Sequence, residues 1–202
     1  MHVKICGVTR PEDALHAESA GADALGLNFV PNTKRFISLE RAREVISVLG
    51  PFVARVGVFQ NASFETVIET VQTIGLNVVQ LHGQESDDFA LEVERVVPVI
   101  RVVKFEPSLP FVLPEVGSTF MIDGPDPGSG QLADWNRLEA SNLGGRRWLL
   151  AGGLTPENVA EAIERLNPWG VDLSSGVESA PGIKDPAKVT AFIRAAKGER
   201  KD

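Results

Sequence analysis

Trp148-Leu149-Leu150-Ala151-Gly152-Gly153-Leu154-Thr155, a helical stretch over Pro156–Leu166, then Val171-Asp172-Leu173-Ser174-Ser175-Gly176-Val177-Glu178 together make one strand–helix–strand unit. The two apolar runs are short, as parallel strands buried on both faces should be. Thr155 stands where the intervening helix would be capped. Both runs end in glycine and small polar residues, the chemistry of a loop that lets backbone N–H groups come close to a ligand.

Reading outward, the same unit recurs along the whole chain. Apolar runs fall at Val3–Gly7, Ala22–Phe29, Ala54–Phe59, Asn77–Gly83, Pro98–Phe105, Thr119–Gly124, Trp148–Gly153 and Val171–Gly176. Helical patterns lie between and after them, at Arg10–Ala20, Ser38–Leu49, Ser63–Ile74, Ser86–Val97, Asp134–Leu143, Pro156–Leu166 and Pro186–Ala196. Pro11 suits an early helical position, and Ser38 and Asp185 are candidate caps. One unit is defective: Pro107, Pro110 and Pro114 break the stretch Glu106–Pro114, which predicts a short or degenerate fifth helix. Strands alternating with helices give a right-handed parallel α/β fold. Eight strands is the number that closes, so the expectation is a (β/α)8 TIM barrel, with an open doubly wound sheet as the rival. No linker or low-complexity stretch interrupts residues 1–202, which read as one domain ending in a solvated Lys197–Asp202.

Composition narrows the function classes. The chain has 202 residues, 43% hydrophobic and 23% charged, with a formal charge of −7. That balance suits a globular protein and argues against a nucleic-acid partner, which wants a basic face. A single cysteine allows no intrachain disulfide and no cysteine-built metal cluster, and it suits a reducing cytoplasm. No apolar run is long enough for a membrane span or an export signal.

If the barrel closes, residues at strand ends share a rim. Cys6 closes the first run and Asp123 the sixth, and a thiol facing a carboxyl across a pocket can move protons without a metal or cofactor. Cys6 also fits as a small buried hydrophobe, and Asp123 as a cap on the turn Gly124-Pro125-Asp126-Pro127-Gly128, where Asp126 is a second acid further out. Loops after the seventh and eighth barrel strands commonly hold a phosphate. Gly152, Gly153, Ser174, Ser175 and Gly176 occupy them here, with the serines placed where a short helix would begin. Arg35 is a candidate anion clamp, because a guanidinium fork suits a carboxylate; beside Lys34 it also fits as a solvated charge. Gln80 and His82 end the fourth run, and Asp172 precedes the serines; all three are candidates for lining the pocket and contacting substrate.

These segments resemble one family. Lys4-Ile5-Cys6-Gly7-Val8-Thr9, Gly26-Leu27-Asn28-Phe29-Val30-Pro31, Lys34-Arg35-Phe36-Ile37-Ser38, Val79-Gln80-Leu81-His82-Gly83, Ile122-Asp123, Leu150-Ala151-Gly152-Gly153-Leu154 and Asp172-Leu173-Ser174-Ser175-Gly176-Val177-Glu178 are similar to the phosphoribosylanthranilate isomerases, from Val3 to about Phe192. The resemblance implies a cofactor-independent aldose–ketose isomerase (an intramolecular oxidoreductase) of tryptophan biosynthesis, monomeric or homodimeric. Its reaction would be the Amadori rearrangement of N-(5′-phosphoribosyl)anthranilate to 1-(2-carboxyphenylamino)-1-deoxyribulose 5-phosphate. It further implies Cys6 as general base, Asp123 as general acid, Arg35 on the anthranilate carboxylate, the two late loops on the phosphate, and no metal. Asn28 departs from the pattern, standing where an apolar residue is common, and so points to a more polar pocket. The rivals are a sister sugar isomerase on the same barrel, which would use two carboxylates rather than Cys6, and a non-catalytic barrel that only binds a phosphorylated metabolite.

Overall fold

The computed structural model describes residues 1–104, 116–117, 119–124, 134–139, 143 and 145–198. Eight parallel strands close into a barrel in sequence order: β1 His2–Cys6, β2 Ala24–Asn28, β3 Ala54–Phe59, β4 Val78–Leu81, β5 Val99–Lys104, β6 Thr119–Asp123, β7 Arg147–Leu150 and β8 Gly170–Leu173. Closure is made by β1 pairing with both β2 and β8, so the open-sheet rival is excluded. Helices α1 Pro11–Ala20, α2 Leu39–Ser47, α3 Phe64–Ile74, α4 Asp87–Glu94, α5 Trp135–Glu139, α6 Val159–Leu166 and α7 Pro186–Lys197 follow in chain order. The described part of α5, between β6 and β7, spans five residues. The proline-broken stretch Glu106–Pro114, Asp126 and the tail 199–202 lie outside the described residues.

The two-residue period of each strand sorts side chains into two cores. Val3, Ile5, Leu25, Leu27, Val79, Phe120, Ile122 and Leu150 point outward and pack under the helices. Val56, Ile100, Met121, Leu149 and Ala151 point inward and fill the lumen. The helices are held by the expected local devices. Ser38, Ser63 and Ser86 accept the N–H three residues on, and Asp185 accepts from Ala187 and Lys188. Thr155 does not cap α6. Its hydroxyl accepts from Glu157 N (3.3 Å) within a turn over 156–158, and the helix begins at Val159. A small antiparallel pair, β9 Glu178–Ala180 and β10 Ile183–Lys184, lies between β8 and α7 and sets Glu178 opposite Lys184.

Candidate active site

The carboxyl-terminal rim carries the polar interior. Five of the seven buried polar side chains among the described residues (Lys4, Gln80, Asp123, Asp172 and Lys184) gather there, a concentration that packing alone would not produce. A cavity of about 530 Å³ opens between the strand ends, lined by Cys6, Asn28, Arg35, Gln80, His82, Lys104, Asp123, Asp172 and Ser174 among others. A smaller cleft of about 50 Å³ adjoins it, formed by Gly152, Gly153, Leu154, Ser174, Ser175 and Gly176, and the two share Asp172 and Ser174. All the described candidate residues read from the sequence therefore fall on one face.

Cys6 sits at the end of β1, in register with Gly26 on β2. A side chain at position 26 would come within 2.8 Å of Cys6 Sγ and 3.2 Å of Lys4 Nζ, so only glycine leaves both groups in place. Burial pushes the Cys6 thiol above its ordinary value, while the Lys4 and Lys184 ammonium groups pull it back and Asp172 opposes them. Three strands further round, Asp123 accepts Gly124 N on Oδ1 (2.8 Å), and its Oδ2 lies 3.5 Å from His82 Nε2. His82 Nδ1 lies 3.2 Å from Gln80 Nε2. Among the described residues, Gln80 Oε1 and His82 Nε2 are buried without a hydrogen-bond partner, so they offer unused polar capacity at the cavity.

The cleft is built from close backbone approaches. Gly152 has φ +82°, and a side chain there would collide with Gly124 and reach 3.0 Å from Asp123 Oδ1. Asn158 pins the loop by donating to Gly153 O (3.0 Å) and accepting from Thr155 N (2.8 Å). After β8 the chain makes a single 3₁₀ turn, Ser175–Val177, rather than a helix, so any anion held here would rest on loop N–H groups without a helix dipole behind them. Ser174 Oγ donates to Cys6 O (3.0 Å) and accepts from Lys184 Nζ (3.3 Å), tying β8 to β1.

Arg35 forms a fork with Glu178, Nε to Oε1 at 2.8 Å and Nη2 to Oε2 at 2.9 Å. Lys184 Nζ reaches the same carboxylate at 3.0 Å. Both cations hold the half-buried Glu178 below the usual carboxylate range against the effect of burial. Asn28 uses its amide on its own loop, accepting Val30 N (2.9 Å) and donating to Thr33 Oγ1 (3.2 Å), and so shapes the segment that carries Arg35. Three partners escaped the sequence reading. Lys4 is paired with Asp172 at 2.8 Å across the β1–β8 register, and its signal was its shared strand face with Cys6. Glu178 and Lys184 meet only through the unforeseen β9–β10 pair.

Among the described residues no cluster of three His, Cys, Asp or Glu is placed to hold a metal ion, and no helix is long and apolar enough to cross a membrane.

A closed parallel barrel with its polar cavity and glycine-lined cleft on the carboxyl rim defines a (β/α)8-barrel protein working from that face. The family model for N-(5′-phosphoribosyl)anthranilate (PRA) isomerase matches residues 3–195, and the chain belongs to that family. An N-(5′-phosphoribosyl)anthranilate isomerase of Geotalea uraniireducens is 46% identical over 200 residues, covering 97% of this chain and 98% of that one. The crystal structure of phosphoribosyl anthranilate isomerase from Thermus thermophilus superposes with a TM-score of 0.92 at 42% identity, covering 99% of this chain and 100% of that one. A phosphoribosyl anthranilate isomerase solved in complex with reduced 1-(o-carboxyphenylamino)-1-deoxyribulose 5-phosphate superposes with a TM-score of 0.85 at 37% identity, covering 98% and 100%.

Proposed function

We propose that this chain converts N-(5′-phosphoribosyl)anthranilate to 1-(2-carboxyphenylamino)-1-deoxyribulose 5-phosphate in tryptophan biosynthesis, with Cys6 as general base and Asp123 as general acid. The observation that carries this is the shared cavity: a thiol on β1 and a carboxyl on β6 line one space that merges with a glycine-lined cleft. Proton transfer at two neighbouring sugar atoms needs an acid and a base held on a common substrate.

The chemistry runs within one molecule. Asp123 protonates the furanose oxygen as its bond to the anomeric carbon breaks, giving an open-chain Schiff base. That cation acidifies the proton on sugar carbon 2, which the Cys6 thiolate removes. The resulting enolamine takes a proton at carbon 1 and loses the hydroxyl proton at carbon 2, so carbon 1 is reduced and carbon 2 oxidised with no external redox partner. Gly152, Gly153, Ser175, Gly176 and the Ser174 N–H receive the phosphate. Glu178 occupies the Nε/Nη2 edge of Arg35 and leaves Nη1 without a partner among the described residues, which suits a second carboxylate, that of the anthranilate. Gln80, His82 and Asp172 complete the walls that contact the substrate.

The test is the loss of anthranilate-type fluorescence when the purified protein meets freshly made phosphoribosylanthranilate, with and without a metal chelator. Chelator-insensitive turnover is expected. Folded protein without turnover would overturn the reading in favour of a sister isomerase or a binding-only barrel.

A further inference from the structure

We infer that Lys4 is a positioning residue for the base: its ammonium, anchored by Asp172, stabilises the Cys6 thiolate and makes the thiol competent to remove a proton. This rests on the assignment of Cys6 as base and deepens it. Lys4 lies two residues before Cys6 on β1, so both side chains enter the lumen on the same strand face. It is 2% exposed, an environment in which an ammonium persists only with a partner. Its Nζ lies 2.8 Å from Asp172 Oδ1, and both Nζ and the Cys6 sulfur crowd the same empty volume beside Gly26.

A stabilising ion pair for the fold would not need to sit there. Replacing such a pair with apolar groups is often neutral or favourable, so its retention beside the one thiol in the chain asks for a chemical reason. Burial disfavours the Lys4 ammonium, yet Asp172 and then Cys6 outweigh it, and Lys4 stands above its ordinary value. The pair with Asp172, at 2.8 Å, is what holds the buried Lys4 in its charged form beside the thiol. The charges that face Cys6 are Lys4 on its own strand, Asp172 on β8, Lys184 on β10 and Arg35 from the loop after β2. Lys4 exerts the largest pull among them on the thiol. Lys184 and Arg35 both spend their charge on Glu178, whereas Lys4 lies between Asp172 and the thiol.

The single cysteine makes the test direct, because thiolate absorbance and alkylation report Cys6 alone. The pH dependence of iodoacetamide alkylation is measured in wild type, Lys4→Met, Asp172→Asn and the double variant, each checked for native circular dichroism. Lys4→Met is expected to move the thiol titration to higher pH and slow alkylation at neutral pH roughly tenfold or more. Asp172→Asn is expected to move it to lower pH. The double variant, which leaves neither partner as an unpaired buried charge, is expected to titrate above wild type. Its titration at or below wild type, or an unmoved thiol in folded Lys4→Met, would overturn the inference and leave Lys4 as a counter-ion for Asp172. Failure of wild type to isomerise would sink the assigned reaction without touching this result, since the titration needs no substrate.

Discussion

The two ends of the barrel lumen are built from the same eight strands and could hardly differ more. At the amino-terminal mouth, Val56, Val78, Ile100 and Leu149 surround a mostly apolar cavity of about 270 Å³, which Lys4 borders at its inner end and the His2 and Trp169 rings, 4.3 Å apart, at its outer end. At the carboxyl rim, a few residues further along the same strands, the lining changes to Cys6, Gln80, His82, Lys104, Asp123 and Asp172. The apolar void, about half the volume of the rim cavity, does not mark the chemistry. What marks it is the density of buried polar groups, each of which carries a desolvation cost that only a ligand or a partner repays. One end of the lumen holds the sheet together, and the other gathers the polar groups on which the proposed reaction depends.

The sharpest way to break this division is to alter the rim groups themselves. Cys6→Ala and Asp123→Asn are each expected to lower kcat/KM by roughly 10²–10⁴-fold, the usual worth of a general acid or base, with thermal unfolding unchanged. Wild-type rates in either variant would remove it from the mechanism. Gly26→Ala comes next, because its methyl group must displace the Cys6 sulfur or the Lys4 ammonium. The expected result is a loss of activity of roughly tenfold or more together with about 1–3 kcal/mol of stability, read by steady-state kinetics and urea unfolding.

How far this division was legible in the sequence follows from physical range. The eight runs came within two residues or so of most strands, because burial on both faces leaves an unbroken apolar signature. Two helices announced themselves through the candidate caps Ser38 and Asp185, and Ser63 and Ser86, which head their helical patterns, cap them in the structure as well. What stayed hidden was set by contacts at long separation or by elements too short for a period. Lys4 and Asp172 are 168 residues apart, Arg35 and Glu178 are 143 apart, and β10 has two residues. Lys4 was visible in one respect only: a lysine inside an apolar run, two places from a cysteine, lies on that cysteine's face. The 156–158 turn displaced the start of α6 because Thr155 and Asn158 spend their side chains on the loop around Gly153.

Arg35 sharpens the comparison within the rim, between groups that react and groups that hold. Arg35→Ala removes the carboxylate fork while leaving Cys6 and Asp123 in place. Its expected effect is a KM about tenfold higher with a much smaller change in kcat, since a charged hydrogen bond contributes about 1.5–3 kcal/mol. A fall in kcat with KM unchanged would mean that Arg35 acts on the reacting atoms rather than on the anthranilate end.

The smallest effect separates the two cores. Ile100 on β5 points into the lumen beside the apolar cavity, and Ile122 on the neighbouring β6 points outward under the helices. Removing one methylene from each costs about 0.5–1.5 kcal/mol in general, with the larger figure where the surroundings cannot adjust. Ile122 is fully buried, while Ile100 is 8% exposed and already borders unfilled space. Ile122→Val should therefore fall near the upper end of that range and Ile100→Val near the lower end, both with unchanged kcat and KM. Equal losses in urea unfolding would show that the amino-terminal void is as tightly braced as the outer core. Altered kinetics in Ile100→Val would show that the mouth and the rim are coupled through the lumen, and the division of labour between them would fail.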